Sequence, residues 1–251
     1  MKIESLDHDF TLETIAPLGR IGLLALATDF NTEQDLRRML PEGVQVFTNR
    51  VTNANPLTLE NLRAMAPDIT RAAAGILPGL GVDAMIYGCT SGTAAIGQEN
   101  VDAAIHAACP GIPTTNPLLA ACAAFEAFAA KRLSVLTPYI EEINGELAQQ
   151  FVDRGFEVLN ISGFAMEDDI AITMIPPEAI ATAAEAVCDE SADLLFISCT
   201  SLRAASVVGE LEHQLRKPVI CSNQALAWHV LRLMRCQETV EGYGSLFSKR
   251  L

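Results

Sequence analysis

The chain alternates short, continuous apolar runs with longer stretches whose apolar residues recur at helical spacing. In the first half, apolar runs predict strands near 21–27, 44–49, 83–88 and 112–115, with helices expected near 31–39, 57–77, 93–107 and 117–130. The second half keeps the same order. Its strands are expected near 132–137, 156–161, 193–198 and 218–222, and its helices near 140–153, 177–190, 202–215 and 224–235. An uninterrupted apolar strand needs cover on both faces, which is the condition of a parallel sheet between helices. The expected fold class is therefore α/β, with two α/β sandwich lobes built on parallel sheets.

The two halves also resemble each other residue by residue. VDAMIYGCTSGTA at 82–94 and ADLLFISCTSLRA at 192–204 each carry an Asp, an apolar strand and then Cys-Thr-Ser. RIGLLAL from Arg20 matches RLSVLTP from Arg132, and PEGVQVF from Pro41 matches DRGFEVL from Asp153. GIPTTN ending at Asn116 matches PVICSN ending at Asn223. All four pairs lie about 110 residues apart, so the chain reads as an internal duplication. The lobes are expected to be pseudo-symmetric and to span residues 1–128, with 1–19 as an N-terminal extension, and 129–251. A cleft is expected between them.

Composition narrows the function classes. Half of the residues are hydrophobic and 19% are charged, which excludes a disordered chain. The formal net charge of −14 repels phosphate backbones, so no nucleic-acid partner is expected. No Lys/Arg-rich amphipathic stretch suits a lipid surface. The longest uncharged run, from Ala103 to Phe125, is broken by Pro110, Pro113 and Pro117, so no membrane partner is expected either. Seven cysteines without a visible secretory signal predict free thiols and a cytoplasmic location. There is no Cys-x-x-Cys pair and no close His pair, so no metal site is expected.

Ligands of open parallel sheets bind beyond the carboxyl ends of the strands, where both Cys-Thr-Ser motifs fall. Two such halves facing each other place Cys89 and Cys199 on opposite sides of one cleft as candidate catalytic groups. Thr90, Ser91, Thr200 and Ser201 offer hydroxyls and first-turn N–H groups suited to a carboxylate or enolate. A helix N-terminus favours a thiolate by about 0.3 to 2 kcal/mol. Two thiolates in one cleft repel, so a resting pair of one thiolate and one thiol is expected. The other five cysteines read as space-filling residues.

These residues resemble the aspartate/glutamate racemase superfamily, in which paired Cys-Thr motifs stand at equivalent strand ends of two α/β halves. TPYIEEIN (137–144), the Ser222-Asn223 corner and GYGSLF (242–247) resemble its maleate isomerase and arylmalonate decarboxylase group. LATD (26–29), NPLTLENLRAM (55–65), YGCTSGT, SCTSLRA and SNQALAWHVLR resemble the ectoine-utilisation proteins of that group. The resemblance implies cofactor-independent chemistry beside a carboxylate, a small carboxylate substrate and a homodimer. Because both Cys89 and Cys199 are present, it implies isomerisation or racemisation in ectoine or hydroxyectoine breakdown. Maleate-type cis-trans isomerisation, malonate-type decarboxylation and ligand binding without turnover stand as alternatives. Tyr139 matches the family tyrosine that hydrogen-bonds the substrate carboxylate; an aromatic packing on the core is the other reading.

Two departures bear on the substrate. Where maleate isomerases carry asparagines, this chain has Asp29 and, in Glu167-Asp168-Asp169, Asp169. An amide donates to a substrate carboxylate, whereas an ionised Asp only accepts. Asp29 or Asp169 is therefore expected to receive a cationic or N–H-bearing group. The alternatives are a helix cap for Asp29 and a solvated loop for Asp168 and Asp169.

Overall fold

The computed structural model describes all residues except 2, 6, 250 and 251. The first half runs β1 (Gly19–Leu26), α1 (Thr32–Met39), β2 (Val44–Val51), α2 (Leu59–Arg63), α3 (Ala66–Ala74), β3 (Ala84–Tyr87), α4 (Thr90–Ile96), α5 (Gln98–Ala108), β4 (Thr114–Thr115) and α6 (Pro117–Ala127). The second runs β5 (Arg132–Thr137), α7 (Glu141–Val152), β6 (Glu157–Gly163), α8 (Asp169–Thr173), α9 (Pro177–Val187), β7 (Leu194–Ile197), α10 (Val208–Leu215), β8 (Val219–Cys221) and α11 (Ser222–Leu233).

The strands form two four-stranded sheets, ordered β2-β1-β3-β4 and β6-β5-β7-β8, and every pairing is parallel. The identical order is what the duplicated sequence requires. The central strands β3 and β7 are buried along their whole length, in keeping with their uninterrupted apolar sequences.

The last helix of each half packs toward the other half. Phe125 on α6 makes edge-to-face contacts with Phe151, Phe156 and Phe196 of the second half, with centroids 5.3 to 5.5 Å away. In return α11 packs against β3, β4 and α6. The ends of both sheets are thereby held facing each other across one interface. Among the described residues no helix is long and apolar enough to cross a membrane, and no group of His, Cys, Asp and Glu could hold a metal ion.

Three predicted helices differ from the structure. The helix expected over 57–77 is two, because Pro67 sits in the first turn of α3 and cannot continue α2. The helix expected over 93–107 breaks at Gly97, whose φ of 90° is open to glycine. The helix expected from 202 begins only at Val208. Residues 200–207 instead form an irregular loop with direct consequences for the site.

Candidate active site

β3 delivers Cys89 to the first turn of α4. Its backbone is extended, and its sulfur caps the helix by accepting from the Gly92 N–H at 3.2 Å. The Ser91 Oγ lies 3.7 Å from the same sulfur. Gly92 has to be small, since a Cβ there would lie 2.9 Å from the Cys89 sulfur and 2.5 Å from the Tyr87 hydroxyl.

Cys199, at the equivalent strand end of the second half, is built differently. It holds φ at 118°, a region that non-glycine residues rarely adopt and that persists only where the surroundings over-determine it. The surroundings do so here. The Cys199 N–H donates to the Ser222 Oγ at 3.0 Å, and the Thr200 carbonyl accepts from the side-chain amides of Asn31 at 3.0 Å and Asn223 at 2.9 Å. Both amides also donate to one oxygen of the buried Asp35, each at 2.9 Å. Two distant segments, the start of α1 and the start of α11, thus clamp the peptide that follows Cys199. Asn223 belongs to the Ser222-Asn223 corner seen in the sequence, whereas Asn31 and Asp35 have no sequence motif to announce them.

Thr90 and Thr200 tie the two motifs across the interface. The Thr200 hydroxyl donates to the Gly88 carbonyl at 3.1 Å, and the Thr90 hydroxyl lies 3.2 Å from the Ser222 Oγ. Their hydroxyls are therefore engaged in the protein, and only Ser91 keeps its hydroxyl beside a cysteine sulfur. Ser201 donates to Asp169 at 2.9 Å. Because no helix starts at Cys199, Thr200 and Ser201 do not present first-turn helical N–H groups. The N–H groups of Ser201 and Leu202 turn toward the Cys199 sulfur instead.

Tyr139 is fully buried at the mouth of β5, and its hydroxyl has no hydrogen-bond partner among the described residues. It faces Cys199, Cys89 and Ser91. The TPYIEEIN stretch fixes it there: the Thr137 hydroxyl accepts from the Tyr139 N–H at 3.1 Å and donates to Asn144 at 2.6 Å, and the Asn144 amide donates to the Tyr139 carbonyl at 3.2 Å.

The two acidic positions separate in role. Asp29 braces the entry to α1 from two residues before its N-cap, Asn31: one oxygen accepts from the N–H groups of Asn31 at 2.7 Å and Thr32 at 2.9 Å, and the other accepts from the Thr32 hydroxyl. Asp169 is buried, accepts from the hydroxyls of Thr28 and Ser201, and lies close enough to push both cysteines toward their neutral forms. The loop bearing it is pinned to the first half. Leu57 N–H donates to the Glu167 carbonyl at 2.7 Å, and Asn55 bridges Asp168 and the Asp169 N–H at 2.9 and 3.2 Å. Asp168 is exposed and caps α8.

The electrostatics reverse the expectation of a resting thiolate. Cys89 is 4% exposed and Cys199 5%, and burial pushes both thiols up to about 12. Desolvation outweighs the helix N-terminus at Cys89, and the Asp169 charge adds to it at both sulfurs. Both are therefore thiols at neutral pH. The buried Cys122 and Cys221 are likewise pushed up to about 12.

A pH effect on stability follows. An acid whose folded pKa is raised stabilises the fold below its unfolded pKa, near 9, and loses that contribution as pH rises toward the folded value. Unfolding free energy from urea titrations is expected to fall steeply between pH 9 and about 12. A flat profile to pH 11 would contradict these four thiols being buried and neutral.

Of the remaining polar residues, His229 is a buried structural histidine, 2.7 Å from the Thr115 hydroxyl and lowered to about 4 by burial. Arg203 donates to the Ile175 carbonyl at 3.0 Å. Asn116 caps α6 through the N–H groups of Leu118 and Leu119, so the two equivalent asparagines of the duplication do different work.

Residues 37–247 match the family described as arylmalonate decarboxylase. The maleate isomerase of Pseudomonas putida is 23% identical over 249 residues, covering 92% of this chain and 98% of its own. The arylmalonate decarboxylase of Bordetella bronchiseptica is 30% identical over 146 residues, or 55% of this chain and 59% of its own. Among solved structures, a cysteine-to-alanine variant of a Pseudomonas putida maleate isomerase with maleate superposes with a TM-score of 0.84 at 22% identity, covering 91% of this chain and 97% of that one. A cysteine-to-serine variant of the Nocardia farcinica maleate cis-trans isomerase, carrying a covalently bound succinylcysteine intermediate, gives 0.82 at 22% identity over 91% and 97%. With a family match across most of its length and the same pair of parallel sheets, the chain belongs to the arylmalonate decarboxylase and maleate isomerase family.

Proposed function

We propose that the protein is a cofactor-independent isomerase or racemase whose two cysteines act on opposite faces of the α-carbon of a small carboxylate. The observation that carries this reading is the convergence of Cys89, Cys199 and the unpartnered Tyr139 hydroxyl at the buried ends of the two sheets. In the racemising form, one sulfur takes the α-proton while the other gives its proton to the opposite face. The pair ends with its protonation exchanged, so no other acid or base is consumed. Tyr139 donates to the substrate carboxylate, with Ser91 beside it. Thr90, Thr200 and Ser201 hold the frame through the bonds they make across the lobes.

Asp169 assigns the charge of the substrate in this reading. A carboxylate beside two thiols opposes formation of the thiolate that the chemistry needs, and a dianion such as maleate would add to that penalty. A cationic nitrogen on the substrate removes it. Asp29 is engaged by the N–H groups of Asn31 and Thr32, and burial pushes its carboxyl up toward the neutral form, so the charge recognition in this reading rests on Asp169. An amino carboxylate or cyclic amidine fits, and with the sequence resemblance this points to ectoine or hydroxyectoine breakdown.

The test is incubation with ectoine, hydroxyectoine, a diaminobutyrate derivative, aspartate, maleate and an arylmalonate, followed by proton NMR and chiral chromatography. A new isomer from a cation-bearing carboxylate is the expected result. Fumarate from maleate would favour cis-trans isomerisation, CO₂ from the arylmalonate would favour decarboxylation, and saturable binding without conversion would leave a binding protein. Asp169→Asn is expected to lower kcat/KM for the cationic substrate by about tenfold to a hundredfold while improving the relative use of dianions. An unchanged ratio would remove Asp169 from the substrate's charge recognition.

A further inference from the structure

Tyr87 and Cys89 stand two residues apart on an extended segment, so both side chains leave the same face of the sheet. Tyr87 is fully buried, and its hydroxyl has no hydrogen-bond partner among the described residues. That hydroxyl lies over Gly92. A Cβ on Gly92 would be 2.5 Å from the Tyr87 oxygen, 2.9 Å from the Cys89 sulfur and 2.8 Å from the Met65 methyl. The hydroxyl and the sulfur therefore share the space left by one missing side chain, with the Met65 thioether on its third side. The Gly92 N–H already donates to the same sulfur.

We propose that Tyr87 is a positioning residue for the first sulfur: its hydroxyl waits without an acceptor while Cys89 is a thiol and donates to Cys89 once it becomes a thiolate. A buried hydroxyl without an acceptor is unfavourable, and a hydrogen bond to an ionised acceptor is among the stronger ones. Ionisation of Cys89 turns the first situation into the second. Burial and the neighbouring Cys89 charge hold the Tyr87 hydroxyl well above its ordinary value, so its proton stays on oxygen and available for donation. Tyr139 faces both sulfurs and is assigned to the substrate carboxylate, so Tyr87 is the phenol left to Cys89 alone. The inference rests on Cys89 reacting as a thiolate, as the proposed function requires.

The test is Tyr87→Phe in the full-length protein, which keeps the ring and removes the hydroxyl. Iodoacetamide labelling between pH 7 and 9, resolved for each cysteine by peptide mass spectrometry, reads thiolate formation without needing turnover. Loss of the bond is expected to lower the Cys89 thiolate fraction about tenfold, partly offset by the greater nucleophilicity of the more basic sulfur. The net expectation is a Cys89 labelling rate about threefold slower, with the rate of the equally buried Cys199 unchanged as the internal reference. The melting temperature should be no lower than that of the wild type, because no structural hydrogen bond is lost. Cys89 and Cys199 rates that move together, or do not move, would overturn the proposal, as would a lowered melting temperature. A slowed Cys89 in a protein that converts none of the candidate substrates would retain the Tyr87 role and reject the proposed turnover.

Discussion

Replacing Cys89 by alanine is expected to lower isomer formation by about a thousandfold or more, and Cys199→Ala to do the same. The two sulfurs act in one proton exchange, so neither can be replaced by solvent where burial leaves them only 4% and 5% exposed. The double variant should lose little beyond either single one, because residues that act as a unit are not additive. Rates by NMR, with melting temperatures as a control for folding, check this. More than a tenth of wild-type turnover in Cys89→Ala would contradict a two-sulfur mechanism and favour one-cysteine decarboxylation.

The largest effect on stability is expected from Gly163→Ala. Gly163 ends β6 opposite Thr137, and a Cβ there would lie 1.7 Å from the Thr137 carbonyl oxygen and 2.6 Å from its carbon. Both atoms are backbone, so no side chain can swing aside. The same carbonyl accepts from the Phe164 N–H at 3.1 Å, and Tyr139 stands two residues further on. Relief requires the β5–β6 ends to separate, at about 3 kcal/mol or more. For a chain of this size that corresponds to a fall in melting temperature of about 6 °C or more. The displaced Tyr139 should lower turnover in the fraction that remains folded. A melting temperature within 2 °C of wild type would show that the strand ends yield more easily than their geometry implies.

Much of the fold was legible because its signal is local. Continuous apolar runs mark strands buried on both faces, and duplicated motifs about 110 residues apart give two matching sheets. The failures are also physical. Apolar spacing carries through 57–77 and 93–107, yet Pro67 and Gly97 interrupt the helices there. After Cys199 the sequence is helix-compatible, but the amides of Asn31 and Asn223 capture the Thr200 carbonyl and hold residues 200–207 open. That tertiary override cannot be seen in a local window.

The candidate site divides in the same way. Cys89 and Cys199 stand at strand ends that alternation and repetition identify, whereas Tyr139 is marked only by the resemblance of TPYIEEIN to the family. Asp29 is expected either at the substrate or as the cap of α1; Asn31 takes the cap position, and Asp29 bonds the N–H groups on either side of the helix start. Asp35 is a polar residue in an ordinary helix until α1 meets the loop after Cys199. Tyr87 looks like one more apolar strand residue until the space over Gly92 is measured. The raised thiols are invisible to a local window for a related reason, since depth of burial belongs to the assembled halves and not to a helix terminus.

The most direct measurement of the central claim is proton NMR in D₂O, with wild type beside Cys89→Ala, on the cation-bearing carboxylates. The account predicts deuterium entering the α-position, or a new stereoisomer, in the wild type and neither in Cys89→Ala. Conversion that survives the loss of Cys89 would contradict it.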